Sequence, residues 1–251
     1  MPNHDDVIEA QFGPRAGAYL SSAVHASGTD LDWISEIARK VRPARALDLG
    51  TGGGHVSYRL SDSCGEVIAC DISSTMLDTV RGEAVARGLA NIRTVAGAAE
   101  ELPFDNDSFG LVVSRFSAHH WRDIAQGLRE VRRVLAPGAP AIFVDVAAPD
   151  LRAADTHLQA IELLRDPSHV RNYSRREWVA LLAQAGFSVS TVSAGRLRMQ
   201  FASWTERMSV PPTRAAAIRE VQALASLEVA KHFAIEPDRS FTLDTLMIEA
   251  A

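Results

Sequence analysis

Cysteine is scarce. Cys64 and Cys70 are the only two in 251 residues, too few and wrongly spaced for a disulfide scaffold or a four-ligand zinc centre, and both lie beside or inside apolar runs, as reduced core residues do. No uninterrupted apolar run approaches the roughly 18 residues a membrane-spanning helix needs, and the opening Met1-Pro2-Asn3-His4-Asp5-Asp6 has no basic segment leading into an apolar one. A cytoplasmic protein without a membrane partner is the expectation. Runs of one charge sign are also missing: 26 basic against 31 acidic residues leave −5 overall, so no nucleic-acid partner is expected. Aromatic residues make up 6%, but 47% of the chain is apolar and 23% charged, which excludes a disordered or fibrous chain.

Short apolar runs alternate with stretches of helical period: Ala44 to Leu49, Val67 to Cys70, Ile92 to Ala96, Leu111 to Val113 and Ala141 to Val146. That rhythm is one of βαβ units with buried parallel strands. Ser74 to Arg87 reads as a helix with Met76, Leu77, Val80 and Ala84 on one face and Gly88 as its stop. Ile124 to Leu135 reads likewise, ended by Pro137-Gly138. Further helices are predicted over Leu151 to Arg165 and Arg175 to Ala185, a strand over Phe187 to Val192, and another over Phe241 to Ile248. Pro211-Pro212 opens one long helical stretch with Ile218, Val221, Ala225 and Val229 near one face. The whole reads as an α/β fold, a doubly wound seven-stranded sheet with helical additions.

The strongest local signal is Ala46-Leu47-Asp48-Leu49-Gly50-Thr51-Gly52-Gly53-Gly54, an apolar strand entering a glycine-rich turn, followed by a helix from His55 to Leu60. Glycines there let the backbone turn sharply and approach a ligand, while the helix beyond offers N–H groups. A dinucleotide fingerprint would need glycine where His55 stands, and a P-loop would need Lys-Ser or Lys-Thr after its last glycine. An acid two residues before Gly-x-Gly-x-Gly instead resembles motif I of the class I S-adenosylmethionine-dependent methyltransferases. Val67-Ile68-Ala69-Cys70-Asp71-Ile72-Ser73 matches a second piece, an acid ending the next strand about 20 residues on. Ala98-Ala99-Glu100-Glu101-Leu102-Pro103-Phe104 resembles the Ala-Glu-x-Leu-Pro-Phe segment of the subgroup containing ubiquinone and menaquinone C-methyltransferases. The resemblance covers most of the chain.

This resemblance implies a Rossmann-like methyltransferase fold in one domain over 1–251. A helical cap would occupy 1–32, a cofactor-binding core 33–148, and a C-terminal half with substrate-side helical insertions 149–251. It implies S-adenosylmethionine as cofactor, leaving S-adenosylhomocysteine as product. Gly50, Thr51 and Gly52 would cradle it, Asp71 and Ile72 would take the ribose end, and Arg115 would stand nearby. Asp48 would attract the methionyl ammonium or simply hold the loop. Where members of this family often carry Asp to bind adenine, Ala98 stands here, so that edge would rely on Ala99 backbone or on Glu100. The usual Phe-Asp before the fourth strand is Phe109-Gly110, a local change at the strand entry. Gln11 to Leu20 resembles the leading segment that folds over the methionine end, with Tyr19 as a contact and His25 as a weaker one.

Methyl transfer from a sulfonium is a direct displacement that needs alignment and little water. Beyond the fourth strand lies Ser114-Arg115-Phe116-Ser117-Ala118-His119-His120-Trp121, where reactive space is expected in an open α/β sheet. His119 and His120 are the candidates for orienting or deprotonating the acceptor, since imidazole titrates at about 6.5. The alternative is helix capping or packing against Trp121. Acceptor contacts are expected from Trp121, from His169 and Arg171 in the loop after the fifth strand, and from Trp204, which with Arg207 and Met208 would form a lid. Salt links from Arg165 and Arg171 to Glu162, Asp166 or Glu177 are the competing role for those arginines. No metal site is expected, because adjacent histidines do not share an ion as an i, i+4 pair does. The reading is a methyltransferase acting on carbon, oxygen or nitrogen of a small molecule, as a monomer or homodimer. The rivals are an NAD(P)-dependent oxidoreductase, to be revealed by NADH binding, and a cofactor-binding protein without methyl-transfer activity.

Overall fold

The computed structural model describes residues 2–20 and 27–251, without the side chains of Ala18 and Tyr19. Seven strands form one sheet: β1 Arg45–Leu49, β2 Glu66–Asp71, β3 Ile92–Ala96, β4 Leu111–Arg115, β5 Ala141–Ala147, β6 Val189–Met199 and β7 Phe241–Ala250. Their order is β3-β2-β1-β4-β5-β7-β6. The first five are parallel, whereas β7 runs antiparallel to both β5 and β6. The order reverses between β1 and β4, and in such sheets the crevice at that switch point, beyond the carboxyl ends of the strands, is where ligands bind.

Alternation along the strands sorts their side chains to two faces. Leu47, Ile68, Val112 and Phe143 face α6 (Ile124–Val134) and α8 (Arg175–Gln184), whose Leu128, Val131, Trp178 and Leu182 complete that core. Ala46, Val67, Val113, Ile142 and Val144 face α3 (Thr29–Val41) and α4 (His55–Leu60) through Leu31, Ile34, Val56 and Leu60. The helix after β2, α5 (Ser74–Ala86), starts where Ser73 Oγ accepts from the Met76 N–H and buries Met76, Leu77, Val80 and Ala84, the predicted stripe. Asp123 caps α6 in the same way at Gln126. A reciprocal Ser174–Glu177 capping box starts α8,.

Among the described residues, the remaining helices are α1 (His4–Phe12), α2 (Ala16–Leu20), α7 (Arg152–Arg165), α9 (Phe201–Arg207), α10 (Pro212–Ala223) and α11 (Leu227–His232). The long helix expected after Pro211 is broken in two. Leu224 to Ala225 leaves the helix, and Ser226 restarts it by accepting from the Val229 N–H. Strand β6 runs seven residues past its expected end because pairing with β7 continues to Met199 opposite Phe241. The segment expected as a lid is instead a helix packed into the core: Trp204 and Met208 are each about 1% exposed, with Phe201 beside them. Cys64 and Cys70 are free and buried. Among the described residues, no helix is long and apolar enough to cross a membrane.

Candidate active site

One deep cleft opens at the carboxyl ends of β1, β2, β4 and β5, with about 1500 Å³ of empty space including its mouth. It runs from Asp71, Ile72 and Ala99, past Asp48 and the glycine loop, to His119, His120 and Trp121, and on to Glu162, Arg165, Met199 and Trp204.

The loop after β1 is held internally. Gly50 N–H and Thr51 N–H both donate to the Cys70 carbonyl, at 2.8 and 3.0 Å. Gly52 N–H donates to Asp71 Oδ2 at 2.9 Å, and Ser73 N–H to Asp71 Oδ1 at the same distance. Those amides therefore shape the loop rather than standing free. Asp48, 1% exposed, accepts from Thr51 Oγ1 (2.6 Å), Ser57 Oγ (2.7 Å) and Ser57 N–H (2.9 Å), all on Oδ2. Its loop-holding role is thus explicit. Burial pushes its carboxyl up to about 6 despite these bonds, with the charge of Asp71 adding to the rise,. Burial likewise raises Asp71. Gly52 sits at φ +49°, and a Cβ there would meet nothing within 4 Å, so the loop leaves open space facing the cleft at this residue.

A cradle with an open backbone approach, one carboxylate at the strand end and another beneath the loop fits a nucleoside carrying a charged amino acid. On the side expected to take adenine, Ala99 lines the cleft, while Glu100 Oε1 accepts from the Asp123 N–H at 3.1 Å. Arg115 also lines the cleft, ion-paired with Asp30 of α3 and stacked 4.8 Å over Phe116. The Tyr19 side chain and all of His25 lie outside the described residues.

The turn after β4, a 3-10 segment at Ala118–His120, places two histidines differently. His119 Nδ1 lies 2.6 Å from Asp145 Oδ1, and its backbone N–H is 3.3 Å from Oδ2. A carboxylate only accepts, so Nδ1 carries the proton and Nε2 is the remaining nitrogen. Burial opposes the charged imidazole, but Asp145 and, more weakly, Glu162 and Asp166 outweigh it and hold His119 above its ordinary value. His120 is enclosed. Nδ1 donates to the Ser168 carbonyl at 3.1 Å, Phe12 packs edge-on at 5.1 Å, and His4 Nε2 donates to the His120 carbonyl at 2.8 Å. Burial, then the charge of His119, lowers His120 to about 4, so it stays neutral.

Trp121 and Trp204 are on the cleft wall, but His169 and Arg171 are not. His169 is turned into the structure, Nε2 donating to Gln159 Oε1 at 2.9 Å. Arg171 is drawn aside by Asp155 (3.0 Å) and Glu177 (3.2 Å), the competing role weighed for it from sequence. Arg165 pairs with Glu162 at 3.3 Å, stacks over Trp204 and does reach the cleft. Sequence reasoning missed Asp145, although a carboxylate inside Ala-Ile-Phe-Val-Asp-Val-Ala must find a partner when buried. It also read Glu162 only as a salt-link partner and missed His4 and Ile8 of α1, whereas Phe12 lies in the segment already expected to fold over this end of the cleft. Among the described residues, no group of three His, Cys, Asp or Glu side chains is arranged to hold a metal ion.

A sheet of this order with a glycine loop and acid at its switch point defines a class I methyltransferase, and residues 47–143 match the family model described as a methyltransferase domain. The chain belongs to the S-adenosylmethionine-dependent methyltransferase family. Among its relatives is YafE of Escherichia coli, an uncharacterised protein 43% identical over 80% of this chain and 97% of that one. An uncharacterised methyltransferase of Bacillus subtilis, YcgJ, is 32% identical over 96% of this chain and 97% of its own length. The YcgJ crystal structure aligns with a TM-score of 0.85 over 88% of this chain and 97% of that chain. A demethylmenaquinone methyltransferase of Clavibacter sepedonicus is 30% identical over 80% and 84%.

Proposed function

We propose that this enzyme methylates a small molecule seated between His119 and the Arg165–Trp204 wall, using S-adenosylmethionine held by the loop after β1. The observation that carries this reading is the continuity of one cleft from Asp71, through Gly52, to His119 and Trp204. The bound sulfonium would supply an electrophilic methyl group. The protein's own share is placement and exclusion of water. Asp71 would take the ribose hydroxyls, Asp48 would attract the ammonium, and Ala99 would flank adenine. Trp121 and Trp204 would close the acceptor side. His119, with Nε2 left for the cleft, is the proton acceptor of the pair, and His120 holds the turn against α1 and Ser168.

A cytoplasmic setting is consistent with the free buried cysteines. Calorimetric titration with S-adenosylhomocysteine, followed by product formation across phenols, enols, acids and amines, tests the proposal. Tight binding with methylation of any of these supports it. Folded protein that does not bind S-adenosylhomocysteine overturns it, and binding without turnover favours the non-catalytic rival.

A further inference from the structure

The strand register brings an acid of β5 beneath the turn that follows β4. Arg115 pairs with Val144, and Phe116 N–H donates to the Val144 carbonyl at 2.8 Å. The next residue on β5, Asp145, is therefore level with the start of the turn. Its carboxylate is 2% exposed and tightly held: Oδ1 takes His119 Nδ1–H at 2.6 Å and the Val146 N–H at 2.8 Å, and Oδ2 takes the His119 N–H. The His119 carbonyl accepts from Val170 N–H and Arg171 N–H at 2.9 and 3.1 Å. Ring, backbone N–H and carbonyl are all fixed, while Nε2 has no hydrogen-bond partner among the described residues. A rigid imidazole with a carboxylate on one nitrogen and a reactive cleft on the other is arranged to accept a proton.

The surroundings narrow what could give up that proton. Charged and titratable groups around the ring are Asp145 on β5, Glu162 and Arg165 on α7, Asp166 just beyond it, His120 in the same turn and His169 in the 166–172 loop. The carboxylates are already engaged: Asp145 by His119, Glu162 by Arg165, Asp166 by Ser168. An ammonium acceptor thus meets carboxylates that have partners. Beyond the ring, Val146, Leu197, Met199, Trp204 and Leu243 present apolar surface. An imidazole base is matched to weak acids near its own range, not to simple alcohols.

We infer that Asp145 is the positioning residue of a His119 base, and that the methyl acceptor is a weakly acidic hydroxyl of phenol or enol type on an apolar body. The inference rests on the methyl-transfer reading above. The hydroxyl proton passes to His119 Nε2. The acceptor oxygen bonds to the methyl carbon as the carbon–sulfur bond breaks with its electron pair left on sulfur. The positive charge carried in on sulfur leaves as the imidazolium proton, released to water.

The test uses the full chain saturated with S-adenosylhomocysteine and 4-nitrophenol as probe, whose phenolate is read by absorbance across pH. Failure of S-adenosylhomocysteine itself to bind defeats the methyl-transfer reading, and the remaining measurements address the dyad alone. In the unaltered protein the bound probe ionises at lower pH than the free probe. That shift disappears in His119→Gln, shrinks in Asp145→Asn and returns in part in Asp145→Glu. Nitrogen-15 NMR of His119 shows the Nδ1–H tautomer, replaced by a mixture in Asp145→Asn. With any phenol that is turned over, Asp145→Asn lowers kcat by about 100-fold at little change in KM. If Asp145→Asn does not fold, His119→Gln and the NMR spectrum of the unaltered protein decide. The inference is overturned if the loaded protein does not bind 4-nitrophenol, if it binds the probe without an ionisation shift, or if the His119 tautomer is Nε2–H.

Discussion

A Cβ added to Gly50 would stand 1.9 Å from Ser117 Oγ. The loop after β1 and the turn after β4 therefore meet with no room for one methyl group, and Trp121 Nε1 donates to the same Ser117 oxygen at 3.2 Å. Gly50 also sits at φ +71°, where a side chain adds strain. Gly50→Ala is expected to cost about 2 kcal/mol or more in stability, from left-handed strain and overpacking together. Urea unfolding measures it, and a loss below about 0.5 kcal/mol would mean that the two loops do not touch.

Gly52 poses the opposite problem, with open space ahead of it. Gly52→Leu should fold with a loss of about 1 to 2 kcal/mol for its left-handed backbone. Its side chain should then fill the cradle and weaken S-adenosylhomocysteine by about 100-fold or more. Calorimetry at neutral pH separates the two effects, and unchanged affinity would misplace the cofactor.

Asp48 should make cofactor binding pH-dependent. Its folded pKa, about 6, lies above that of a free carboxyl. As pH falls through 6 the folded protein takes up a proton that the unfolded chain does not, so this group adds stability while losing its attraction for an ammonium. Affinity for S-adenosylhomocysteine should drop between pH 7.5 and 5, and Asp48→Asn should flatten that part of the dependence. Identical profiles would assign Asp48 to loop-holding alone.

The buried histidines act in the other direction on stability. His120 is lowered to about 4 and His169 to about 2, each chiefly by burial. Unfolded imidazoles take up protons below about 6.5 while these do not, so stability contributed above that pH is lost as pH falls toward 4. Urea midpoints should fall between pH 7 and 4.5. His169→Gln should reduce the fall, and a steeper fall would refute neutral burial of His169.

His119 is held above the ordinary imidazole value. A base works in its unprotonated form, so the acidic limb of kcat should lie above pH 6.5 and move to lower pH in Asp145→Asn. Initial rates across pH with one accepted phenol check it, and an unmoved limb would separate the two residues functionally.

Much of the loop after β1 and its flanking acids was legible because its signals are local. The strand ending at Leu49, the glycines at 50, 52 and 54, and Asp71 at the end of β2 lie within a few residues of the backbone features they serve. The helix after β2 was equally readable, since its apolar stripe and glycine stop are local and its cap, Ser73, bonds an N–H three residues away,. The Pro211 stretch misled because its apolar spacing carried across Leu224 to Ser226, where Ser226 starts a second helix. Arg171 and His169 looked like acceptor contacts because sequence shows residue type in a loop and not which way each side chain turns.

Periodicity, glycine placement and paired acids in the sequence determined the α/β sheet and the glycine loop with its flanking acids, because strand, helix and turn preferences act over a few neighbouring residues. Only the tertiary structure decided the layout around the turn after β4. It joined His119 to Asp145 across 26 positions and His4 to His120 across 116, and it turned Arg165 inward while Asp155 and Glu177 drew Arg171 aside. Those outcomes depend on strand register and on competition among charges from separate elements, which are settled when the elements pack together.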